Sequence, residues 1–148
     1  MELPKTRILI IEDNPDDEFL LLRQLRKAGL DQHVKVLADG KAAIEFIENA
    51  KAPCDDLIAL FLDLKLPSMS GIHVLECVRA NPRTSKLPVI VMTSSNSNED
   101  LEKCRQLGVS SYVQKPVTFS TFTKAVADTF HTSPTSLGSL TLPTRSVD

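Results

Sequence analysis

The sequence predicts an α/β protein, a doubly wound five-stranded parallel sheet with helices on both faces. Three observations predict it. Short apolar runs alternate with longer amphipathic ones along most of the 148 residues. The short runs lack polar alternation, as strands buried on both faces require. Helix stops and turn residues fall between the runs. At this length one domain with its own core is expected, assigned to residues 1–130, with 131–148 as a flexible C-terminal tail.

Ile8–Ile11 is the first strand, followed by a helix over Phe19–Ala28 that Gly29 stops. Val34–Leu37 is the second strand, and Asp39-Gly40 reads as a turn before a helix over Ala42–Asn49. The third strand covers Leu57–Leu62, and Pro82 breaks its helix, Ile72–Arg79. Pro88 opens the fourth strand, Val89–Met92, and Gly108 ends the helix over Leu101–Leu107. Tyr112 and Val113 mark the fifth strand; Phe119–Phe130 is the last helix, with Phe119, Phe122 and Val126 spaced as core residues. After about His131, Ser, Thr and Pro dominate, and such a segment buries too little apolar area to offset its ordering entropy.

Composition excludes several classes of function. Lys and Arg number 17 against 19 Asp and Glu, a net charge of −2, so there is no electrostatic footprint for nucleic acid or an anionic membrane. Cys54, Cys77 and Cys104 are widely spaced and odd in number, which fits neither a disulfide framework nor a zinc site. No apolar run approaches the length of a membrane span, and no signal core follows the first residues. A cytoplasmic location is expected.

In open α/β sheets, ligands sit outside the carboxyl ends of the strands. Strand one delivers Glu12 and Asp13 there, within "EDNPDD"; strand three delivers Asp63; strand four delivers Thr93 and Ser94; strand five delivers Lys115 and Pro116. Each residue alone has an ordinary structural explanation as a cap, a turn or a strand end. Together they suit phosphoryl transfer onto a carboxylate. Mg²⁺ takes oxygen ligands, which Glu12, Asp13 and Asp63 supply directly or through water. Asp63 can then attack as an oxygen nucleophile. The transferred group needs mainly positioned positive charge and donors, which Mg²⁺, Lys115, Thr93, Ser94 and backbone N–H groups after Asp63 provide.

Over roughly residues 5–130 this ordered set closely resembles the response-regulator receiver domain of two-component signalling, chemotaxis regulators included. The resemblance rests on Glu12-Asp13, on Asp63 in "LDLKLPSMSG", on Thr93-Ser94 and on Lys115-Pro116. It implies the flavodoxin-like receiver fold, Asp63 as phosphoacceptor, Asp13 as the principal acidic metal ligand, Glu12 as a ligand through water, and the Lys65 carbonyl as a further ligand. It also implies that Thr93 and Lys115 contact the phosphoryl oxygens and that the Lys115-Pro116 bond is cis. Thr93, Tyr112 and Pro116 would form the switch, with the Tyr112 ring entering space that Thr93 vacates.

The implied partners are a sensor histidine kinase and either a downstream protein target or a second copy, met through the fourth helix, fifth strand and fifth helix. The 50–56 loop and "SSNSNEDLEKC" are similar to the stand-alone regulators that pair with bacteriophytochrome-type histidine kinases. Two other readings share parts of the pattern. A flavodoxin-like carrier needs a hydroxyl- and glycine-rich phosphate loop where this chain has acids, and a haloacid-dehalogenase-type phosphatase needs a second Asp where Lys65 stands. The remaining alternative is a receiver-like interaction module that works without phosphate.

Overall fold

The computed structural model describes residues 6–49 and 56–130. The proposed tail, His131, Cys54 and most of the 50–56 loop lie outside the described residues. Five strands and five helices alternate: β1 (Ile8–Ile11), α1 (Pro15–Lys27), β2 (Val34–Leu37), α2 (Gly40–Glu48), β3 (Ala59–Asp63), α3 (Gly71–Ala80), β4 (Val89–Thr93), α4 (Asn98–Gln106), β5 (Ser111–Gln114) and α5 (Phe119–Phe130). The strands form one parallel sheet in the order β2-β1-β3-β4-β5.

Successive strand residues point to opposite faces, so each apolar run feeds two cores at once. Leu9, Ile11, Leu60, Leu62, Val89 and Val91 meet α2, α3 and α4 on one face. Ile8, Ile10, Phe61, Ile90 and Met92 meet α1 and α5 on the other. This is why the three central strands read as unbroken hydrophobic runs.

The outer strands differ from the expectation. β2 and β5 sit at the sheet edges, where one flank has no neighbouring strand among the described residues, and Lys35 and Gln114 are exposed. Asp39-Gly40 starts a helix rather than making a turn: Asp39 caps α2 by accepting the Ala42 N–H at 2.7 Å. Leu101 stays 45% exposed on α4, whose one buried side chain is Cys104. Phe119 is not core. It is 40% exposed and stacks on the buried Phe122, with the Lys27 ammonium over its ring.

Strand order reverses between β1 and β3, and such a reversal opens a crevice at the carboxyl ends. Glu12, Asp13 and Asp63 stand there. At the opposite end Arg79 donates to the carbonyls of Leu87, Leu107 and Gly108 at 2.7, 2.7 and 3.1 Å and to those of Thr84 and Ser85 at 3.5 and 3.2 Å. One guanidinium thus ties the approaches to β4 and β5 to α3.

Candidate functional site

The acidic run after β1 divides at Asn14. Before it, Glu12 is buried at 2% exposure and Asp13 is exposed. Asn14 caps α1 by accepting the N–H groups of Asp16 and Asp17 at 2.9 and 3.2 Å, and Pro15 takes the first helical position, where its missing N–H costs nothing. Asp16, Asp17 and Glu18 then fill the first turn, where the helix dipole favours acids.

β3 ends on Asp63, buried beside its neighbours. Its Oδ1 accepts the Lys65 N–H at 3.0 Å, which fixes the carboxylate plane through the main chain. An antiparallel bridge between Lys65 and Ser70 closes the loop that returns to α3. At the start of α3, Gly71 donates its N–H to the Leu64 carbonyl at 2.8 Å.

β5 carries Lys115 in from the other side of the sheet. Its N–H bonds the Thr93 carbonyl at 2.8 Å, and the Lys115-Pro116 bond is cis. The Lys115 ammonium donates to Glu12 Oε1 at 2.5 Å, Asp17 Oδ2 at 2.8 Å and Asp63 Oδ2 at 3.0 Å. Burial acts to lower this ammonium's pKa, but the hydrogen bonds to Asp17, Glu12 and Asp63 outweigh it and hold the pKa above lysine's ordinary value. Burial, together with a hydrogen bond shared with Asp63, pushes the Glu12 carboxyl up to about 7 against the opposing pull of Lys115.

Ligand oxygens of Glu12, Asp13 and Asp63 all lie within 4.8 Å of one another. A set of carboxylates this close, holding more negative charge than one lysine neutralises, fits a hard divalent cation such as Mg²⁺. A cleft of about 450 Å³ opens onto it, lined by Asp13, Asp63, Lys65, Ser94, Lys115 and Pro116 among others.

Thr93 and Tyr112 are placed differently. Thr93 is fully buried at the end of β4, and its Oγ1 accepts the Ser95 N–H at 3.1 Å. The Tyr112 hydroxyl donates to the Ser95 carbonyl at 3.2 Å, outside the cleft. Ser95 Oγ also donates to Asp100 on α4 at 3.0 Å. Ser95 therefore joins the strand-end threonine, the tyrosine and the start of α4.

Asp17 is the one member of the charge cluster absent from the sequence-predicted site. Its signal was present in "EDNPDD", but a first-turn acid has a sufficient local role, and no spacing rule links it to a lysine 98 positions away.

Comparison with known proteins gives matches over most of the chain. The family model described as the response regulator receiver domain matches residues 8–127. Response regulator Rcp1 of Synechocystis is 34% identical over 116 residues, covering 76% of this chain and 78% of Rcp1. The bacteriophytochrome response regulator RtBRR superposes with a TM-score of 0.71 at 34% identity, over 84% of this chain and 78% of that one. The phosphorylated cyanobacterial phytochrome response regulator RcpA gives a TM-score of 0.72 at 26% identity, over 95% and 99%.

Proposed function

The chain belongs to the response regulator receiver domain family, and from that premise we propose that it is a single-domain regulator taking a phosphoryl group from a sensor histidine kinase onto Asp63. Receiver domains are phosphorylatable signalling modules rather than classical enzymes, and they bind Mg²⁺ at an acidic site such as this one. The observation that carries the reading is the Lys115 ammonium at 3.0 Å from Asp63 Oδ2, with the Glu12-Asp13-Asp63 oxygens gathered beside it.

In the transfer, an Asp63 oxygen attacks phosphorus, the P–N bond of the donor phosphohistidine breaks, and the leaving imidazole nitrogen takes up a proton. In the reverse passage to the resting state, water attacks phosphorus, the P–O bond to Asp63 breaks, and inorganic phosphate leaves. Charge spreads over three equatorial oxygens during either step. Lys115 donates to one of them, the Thr93 and Ser94 hydroxyls serve others, and the Lys65 N–H holds the carboxylate in plane. Glu12, Asp13, Asp63 and the Lys65 carbonyl would hold Mg²⁺, which supplies further positive charge to these oxygens.

In this reading Thr93 turns toward a phosphoryl oxygen and its Oγ1 releases the Ser95 N–H. Because Tyr112 binds the carbonyl of the same residue, this rearrangement reaches the face made by α4, β5 and α5. Thr93, Tyr112 and the Lys115-Pro116 segment form the switch in this reading. Output is association of that face with a downstream protein or with a second copy, biased by phosphorylation. The relationship to RtBRR and RcpA favours a phytochrome-type kinase as phosphodonor. A cytoplasmic location is part of the proposal; no helix among the described residues is long and apolar enough to cross a membrane.

Acetyl phosphate with Mg²⁺ tests the reading directly. The protein should gain one acid-stable, alkali-labile adduct that hydroxylamine removes, and Asp63→Asn should gain none. An intact protein that stays unlabelled, or equal labelling of Asp63→Asn, would sink it and favour the phosphate-independent module.

A further inference from the structure

An ammonium group has three N–H donors and no more. All three donors of Lys115 are in use, on Glu12, Asp17 and Asp63. A phosphoryl group that is to be held by Lys115 must therefore displace a partner or share one. The three partners differ in what release costs. Glu12 has a side chain 1% exposed, so withdrawing Lys115 strands a buried carboxylate. Asp63 carries the reaction itself. The Asp17 side chain is 30% exposed, lines the same cleft and can exchange the ammonium for water.

We propose that Asp17 competes with the phosphoryl group for Lys115, and thereby governs how readily Asp63 takes up phosphate and how long it keeps it. The inference rests on the phosphoacceptor reading above. Asp17 and Asp63 bond the same nitrogen, so their oxygens lie no farther apart than the two bonds laid end to end. At that separation the Asp17 charge repels an arriving phosphoryl dianion while occupying the donor that would receive it. The competition also links α1, which carries Asp17, to the state of the site.

Asp16 supplies the control. It occupies the same first turn, is exposed, and is not among the partners of Lys115. Replacing it by Asn changes the net charge and the helix-terminal charge as Asp17→Asn does, and leaves the ammonium untouched.

Full-length wild type, Asp16→Asn, Asp17→Asn, Asp17→Ala and Asp17→Glu would be labelled with acetyl phosphate and Mg²⁺ over a range of donor concentrations. Loss of label would be followed after donor removal. Asp17→Asn and Asp17→Ala should reach half-maximal rate at several-fold lower donor concentration and lose label several-fold more slowly, with Asp17→Glu close to wild type. Asp16→Asn should behave as wild type. If both Asp17 variants match Asp16→Asn, or label more slowly than wild type, the competition is wrong while the phosphoacceptor reading stands. If wild type takes no label, both fail together.

Discussion

Gly71 lies directly against the main chain of Asp63. A Cβ at position 71 would stand 2.3 Å from the Asp63 carbonyl oxygen and 2.6 Å from the Leu64 Cα. Both neighbours are backbone, which has no rotamer to swing aside. Gly71→Ala should therefore destabilise the fold by about 1–3 kcal/mol and displace the strand end that presents the phosphoacceptor. Urea denaturation should register the first effect and a slower acetyl phosphate reaction the second.

Glu12 makes stability fall as pH rises. Its carboxyl is pushed up to about 7 in the folded protein from an ordinary 4.5, so between these values the folded state holds a proton that the unfolded chain has released. Stability from this group is full below the lower value and lost by the time pH passes the upper one, roughly 3 kcal/mol in all. Glu12→Gln should flatten that part of the profile in thermal melts. Mg²⁺ favours the carboxylate, so its stabilisation of the fold should be greater at about pH 8 than at about pH 5, and a chelator should abolish the difference.

Arg79 offers a change in stability without a change in chemistry. Its guanidinium serves carbonyls at the amino ends of β4 and β5, the far edge of the sheet from Asp63. Lysine cannot reproduce that fan of donors. Arg79→Lys should cost about 2 kcal/mol or more, read by denaturant midpoint, while acetyl phosphate labelling of the folded protein keeps its wild-type rate.

Tyr112 is a built-in reporter, because the chain has one tyrosine and no tryptophan. Burial, then the nearby Cys104 and Asp100, raise its phenol pKa above the usual value, and its hydroxyl rests on the Ser95 carbonyl. If Thr93 releases Ser95 on phosphorylation, this environment changes. Tyrosine emission should then shift when acetyl phosphate and Mg²⁺ are added to wild type, and stay constant in Asp63→Asn. An unchanged emission in fully labelled wild type would remove Tyr112 from the switch.

Much of the molecule is legible in its sequence because it depends on local rules. Ile8–Ile11 and Val89–Met92 read as strands since residues packed on both faces leave no polar position. Glu12-Asp13, Asp63, Thr93 and Lys115 are recognisable because each follows its strand directly, and a parallel sheet brings all carboxyl ends to one edge. Edge position and helix exposure obey no such rule. Leu101 and Phe119 have apolar side chains at helical spacing, yet both stay exposed, and the buried positions of their helices include Cys104 in α4 and Phe122, Ala125 and Val126 in α5. Asp39-Gly40 has the letters of a turn, and only the Ala42 N–H above Asp39 makes it a cap.

By itself the sequence determined the alternation of strand and helix, the two-faced core and the strand ends that hold reactive groups, since hydrophobic period and residue chemistry are properties of short segments. Which carboxylates share the Lys115 ammonium, that burial lifts the Glu12 carboxyl above its ordinary pKa, and that Gly71 presses on Asp63 were decided by the tertiary structure alone. Each depends on distance and desolvation between segments far apart in the chain, and these take values only once the sheet has closed around them.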